Sequence, residues 1–66
     1  SINLVVIDLL GRNVRTILDN EIRNMGSYQV KWHGYDDYGS LVPSGIYLIH
    51  FTSDAYSKHF KTVLLK

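Results

Sequence analysis

Sixty-six residues, 45% apolar and 12% aromatic, describe one small globular domain with a thin core, because chains of this length bury only about 60% of the surface they expose unfolded. Seven Lys and Arg against six Asp and Glu leave a net charge of +1, spread along the chain, which argues against a nucleic-acid surface built on counterion release. Absence of cysteine excludes disulfides, thiolate catalysis and cysteine zinc sites, and the longest apolar run, residues 4–7, falls far short of the roughly 20 residues of a membrane helix.

Residues 2–10 are rich in β-branched and aliphatic side chains on nearly both faces and stop at Gly11; the pattern predicts a central strand. No signal-peptide pattern is visible at Ser1. Ser1 opens directly into the strand pattern, so the start is expected to be a cut within a longer polypeptide. Gly11, Arg12 and Asn13 supply turn chemistry, and residues 14–18 resume a strand. There the apolar pair Val14 and Ile17 stands three apart, which breaks the period of two and predicts a bulge or bend; a short helix is the competing reading. Residues 19–26 are polar, hold Asn20, Asn24 and Gly26, and read as a connection, with Ile22 and Met25 capping the edge of the core.

Residues 27–33 alternate strictly, with Tyr28, Val30 and Trp32 on one face and Gln29, Lys31 and His33 on the other. Residues 34–44 form a loop in which Asp36, Asp37, Gly39 and Pro43 favour tight turns, with Leu41 and Val42 turned inward. Residues 45–52 alternate again: Tyr47, Ile49 and Phe51 oppose Leu48 and His50. After a turn at 53–57, residues 58–65 make a last strand, with Phe60, Thr62 and Leu64 opposed to His59, Lys61, Val63 and Leu65. Five short strands without a long helix indicate an all-β sandwich or small barrel. Its core is expected to comprise Tyr28, Val30, Trp32, Tyr47, Ile49 and Phe51, with turns at Gly11, Gly34, Gly39 and Gly45.

Chemistry-bearing residues have plain readings beside functional ones. His33, Asp36 and Asp37 include types that ligate metals, but Asp in a turn after a strand ordinarily accepts backbone amides. Asp36 and Asp37 remain weak calcium candidates, since the spacing is not that of an EF-hand loop. Ser44, His50 and Asp54 contain the elements of a triad without a nucleophile elbow or oxyanion loop, so no catalytic residue and no cofactor is expected. Trp32, Tyr28 and Tyr47 read as core and not as a sugar platform; Tyr35, Tyr38 and Tyr56 lie in loops where a carbohydrate could stack. Lys58, Lys61 and Lys66 suit an edge strand, as gatekeepers against edge-to-edge pairing or as residues that a partner reads by β-augmentation.

Taken in order, Val6, Asp8, Gly11, Arg12, Val14 and Arg15 resemble a V-Y-D-x-x-G-R-x-V-R opening, and Gly26, Tyr28, Val30 and Trp32 resemble G-x-y-x-v-x-W. Gly34, Asp36 and Gly39 resemble a W-D-G-x-D-x-x-G loop, with His33 where the pattern has Asp, and Ser44, Gly45 and Tyr47 resemble S-G-x-Y. Residues 61–66 resemble a terminal K-k-m-v-L-l-K. These segments are similar to two related groups: the immunoglobulin-like domain of the flagellar hook-capping protein, and the C-terminal sorting domains of type IX secretion cargo in Bacteroidetes and relatives. The terminal lysine pattern favours the second group.

The resemblance implies an immunoglobulin-like antiparallel β-sandwich over 1–66, lacking the N-terminal strands of the full sandwich, as the C-terminal module of a larger secreted or cell-surface protein. It implies a non-enzymatic sorting role, with Lys61, Thr62, Val63, Leu64, Leu65 and Lys66 meeting secretion or cell-surface machinery. Other expected partners are the upstream domain of the same polypeptide and a second copy pairing through an open sheet edge; neither nucleic acid binding nor membrane insertion is expected. Alternatives are a structural immunoglobulin-like domain, of hook-capping type or beside a hydrolase, and a carbohydrate-binding module.

Overall fold

The computed structural model describes residues 1–22, 31–55 and 57–65. These form an all-β unit of four antiparallel strands in one sheet: β1 (Ile2–Ile7), β2 (Asn13–Glu21), β3 (Gly45–Thr52) and β4 (Ser57–Leu64). The spatial order is β2-β1-β3-β4. The first strand is therefore central, as its two-faced apolar pattern predicts. No helix occurs among the described residues.

β1 ends three residues earlier than its apolar run. Leu9 and Leu10 are 65% and 78% exposed, because the Asp8 carboxylate captures the amides of Leu10 and Arg12, each at 2.9 Å, and turns the chain. A local carboxylate competing for backbone donors overrides the strand preference of two leucines. Gly11, at φ 83°, completes the turn by donating to the Asp8 carbonyl.

β2 is a strand, not the short helix that Val14 and Ile17 also allow, and their spacing of three marks bulges. Val5 pairs with Thr16 and Leu4 with Leu18, which leaves Ile17 as an extra residue. Val6 pairs with Arg15 and Ile7 with Asn13, which leaves Val14 extra. Such insertions re-aim side chains, and both residues pack against the buried cluster. The expected connection at 19–26 begins later, since β2 continues to Glu21. Ile22 is 90% exposed and does not cap the core; Met25 lies outside the described residues.

The predicted strand at 27–33 falls mostly on residues outside the description, including the expected core residues Tyr28 and Val30. Its described part, Lys31 to His33, is not strand. Among the described residues four strands form a single sheet, and the fifth expected strand lies mostly outside them.

β3 and β4 match the alternation well, paired without a slip from Gly45 with Leu64 to Thr52 with Ser57. Pairing of Val6 with Ile49 and Leu4 with Phe51 puts Leu4, Val6, Tyr47, Ile49 and Leu64 on one face. Val6 is fully buried, and Val42 and Tyr47 form the core with it. Residues 31–42 roof that face. Trp32 meets Tyr47 edge-on at 5.1 Å between centroids, and the Tyr47 hydroxyl donates to the Pro43 carbonyl at 2.6 Å. Val42 turns inward while Leu41 stays 59% exposed.

Gly34 is buried where the roof meets β4. Its φ is 84°, and a Cβ there would meet both Leu64 methyl carbons at 3.2 and 3.3 Å. Gly39 has the same φ, 83°, with nothing within 4 Å. A non-glycine residue in the left-handed region costs roughly 1–2 kcal/mol, and 1 kcal/mol shifts the midpoint of a domain this size by about 4–8 °C. Gly39→Ala is expected to lower the melting temperature by that conformational cost alone, and Gly34→Ala by more. Equal losses in thermal denaturation would show that the Leu64 contact does not constrain the roof.

Candidate functional site

Three carboxylates, Asp8, Asp36 and Asp37, line one surface cleft together with Arg12, Asn13 and Tyr38. Asp36 Oδ1 accepts the amides of Tyr38 and Ser40 at 2.9 Å each, and the Asp36 amide donates to the Ser40 carbonyl at 2.9 Å. This is the turn that the Asp-rich loop predicts. Asp37 reaches outward to β2. Its amide donates to the Val14 carbonyl at 3.0 Å, Oδ1 accepts the Thr16 amide at 2.9 Å, and Oδ2 accepts the Asn13 side-chain amide at 2.9 Å.

The cleft is therefore held by donors on every side. Asp8 Oδ2 accepts Arg12 Nε at 2.8 Å, and its pKa lies below the usual carboxylate value. The Arg12 amide is the main cause; desolvation opposes it, and the Arg12 side chain and the Leu10 amide add to the lowering. Hydrogen bonds to the charged form produce this direction of shift. Among the described residues no group of three or more His, Asp or Glu side chains could hold a metal ion. His33 is exposed and lies apart from these contacts.

Asp37 does for β2 what a neighbouring strand would do. It occupies one carbonyl and one amide on the side of β2 away from β1, at the bulged segment. Arg15 adds a bond from Nη1 to the Asp36 carbonyl at 3.3 Å. Unpaired edge groups invite strand addition, and here a loop satisfies them. The signal was in the sequence only as turn chemistry; nothing in spacing distinguishes an Asp that closes its own turn from one that reaches 21 residues back.

The other edge differs. β4 pairs with β3 on one side, and among the described residues no strand adjoins its other side. Of the residues assigned to partner contact, Thr62 is half-buried, Leu64 packs against the core, and Lys61, Val63 and Leu65 are exposed, Leu65 at 84%. Lys66 lies outside the described residues. On the inner face Phe60 is 48% exposed with Lys58 Nζ 5.2 Å from its ring centroid, a cation–π contact.

On the outer face His50 stands directly opposite His59, their rings stacked 4.0 Å apart and 9° from parallel. Ser44 is not brought to His50, because six residues of strand at about 3.3 Å each place them about 20 Å apart. Asp54 sits exposed in the β3–β4 turn. Of the loop tyrosines, Tyr35 is 44% and Tyr38 93% exposed; Tyr56 lies outside the described residues. Trp32, Ile49 and Phe51 are partly buried, Trp32 donating from Nε1 to the Tyr35 carbonyl at 2.9 Å.

No helix of the described residues is long and apolar enough to cross a membrane. Comparison with protein-family models, curated proteins and solved structures finds no significant match.

A depressed Asp8 pKa stabilises the fold fully above the unfolded value near 3.8 and loses that contribution as pH falls through the lower folded value. Asp8→Asn is expected to unfold at lower urea than the unchanged chain at neutral pH, with the gap closing below about pH 4. A gap constant across the acid range would remove the charge from this account of the turn.

Proposed function

We propose that this chain is a non-catalytic recognition module of immunoglobulin-like type, read by a secretion or cell-surface partner through β4 and the residues that follow it. The observation that carries this reading is the asymmetry of the two sheet edges: β2 is closed by Asp37, whereas β4 presents an exposed, lysine-bearing strand. Strand addition at such an edge gives affinity through the backbone and selectivity through alternate side chains.

Three features support the sandwich and sorting readings together. Tyr47, near the start of β3, donates its hydroxyl to a carbonyl four residues upstream, the arrangement of the tyrosine corner in immunoglobulin-like sandwiches. The residues carrying the resemblance at the first turn, Asp8, Gly11 and Arg12, have interlocking tasks there. Lys61 to Leu64 of the segment resembling the sorting signal belong to β4, which has a strand on one side only among the described residues. The module then serves as an address on a larger extracellular protein, which supplies any enzymatic activity.

The experiment attaches the chain to the C-terminus of a fluorescent reporter in a bacterium with type IX secretion. Export to the medium or cell surface is expected for the unchanged chain. It should be lost on deleting residues 60–66, and reduced in the exposed-surface variant Lys61→Glu, whose fold is checked by circular dichroism. Retention of the unchanged fusion inside the cell, with the module folded, would reject sorting in favour of a structural immunoglobulin-like domain.

A further inference from the structure

We propose that β4 accepts, as an added strand, an extended segment of another protein in which acidic residues alternate with apolar ones. This inference rests on the reading of β4 as the recognition edge and deepens it by naming the chemistry of the partner. The β2 edge is an unsuitable receptor, since the Val14 carbonyl and the Thr16 amide are already bonded to Asp37 at 3.0 and 2.9 Å.

Charge decides the sign of the partner. The first 56 residues hold four basic and six acidic side chains, whereas the last ten hold three lysines and no acid. The C-terminal stretch is thus free of acidic side chains, and Lys58 and Lys61 of it lie on the edge strand β4. Along β4, His59 and Lys61 share the outer face, with Lys61 opposite Leu48 and His59 opposite His50. The inner face carries the half-exposed Phe60, with Lys58 beside it.

A strand laid along β4 places its side chains within about 4.5–5.5 Å of these residues. Acidic groups two residues apart on its outer face meet His59 and Lys61, and apolar groups on its inner face cover Phe60. A second copy of β4 is disfavoured, because it brings together two strands that carry only positive charge, and like charges directly opposite are destabilising.

The test uses the 66-residue chain and a labelled peptide of roughly ten residues in which Glu and Val alternate, a length that matches one strand. Two control peptides replace Glu by Lys, or carry N-methyl groups on the amides of one edge. Binding is followed by fluorescence anisotropy and located by backbone NMR. The Glu peptide is expected to bind with shifts centred on β4, and to weaken about tenfold or more when salt rises from about 0.05 to about 0.5 M. It should weaken about tenfold in the folded double variant Lys58→Glu, Lys61→Glu. The Lys peptide should not bind, and N-methylation should abolish binding.

Equal binding of Glu and Lys peptides, indifference to N-methylation, no binding of the Glu peptide at millimolar concentration, or self-association through β4 seen by light scattering would each overturn the proposal. Loss of peptide binding with export of the reporter intact would reject the acidic strand and leave the sorting role standing. Peptide binding without export would do the reverse.

Discussion

The fold depends on the packing of one aromatic pair. A sheet with one apolar face has to bury it against another element, and here residues 31–42 cover it, with Trp32 in edge-on contact with Tyr47. Tyr47 belongs to β3 and is anchored at its hydroxyl to Pro43, so the ring that Trp32 meets is fixed at both ends. Trp32 in turn spends its indole N–H on the Tyr35 carbonyl, which starts the loop in the direction of β2. From there the Val42 amide donates back to Gly34, and Gly34 sits directly over Leu64. All four strands are tied through this cover: β1 by Val6, β2 by Val14 and Ile17, β3 by Tyr47 and β4 by Leu64.

The same cover makes the two edges unlike. Because the loop crosses toward β2, Asp37 arrives where the bulged strand has a carbonyl and an amide to satisfy. At the opposite edge no equivalent loop or strand arrives among the described residues, and this is the edge at which we propose that another chain adds. Lysines suit such an edge, because they discourage unspecific pairing.

Strand alternation in residues 45–52 and 58–65 was legible, down to which side chains share a face, because period two survives wherever the sheet is regular. The bulges at Val14 and Ile17 were legible as a broken period. What escaped were effects of single polar groups acting over distance or against propensity. Asp8 ends β1 against the preference of Leu9 and Leu10, and Asp37 lends its carboxylate to a strand 21 residues away. Ile22 was expected inside because it is apolar, yet it follows the end of β2 at Glu21 and is exposed. The polarity of β4 was visible in the sequence, but its meaning needed the strand order that puts the last strand at an edge.

Amide hydrogen exchange tests the asymmetry of the edges most directly. The Thr16 amide, bonded to Asp37, is expected to exchange slowly, at a rate near that of the central β1 amides, while every second amide along Ser57–Leu64 exchanges fast. Uniform protection along β4, or a Thr16 amide that exchanges as freely as the amides of the loop tip, would contradict the account.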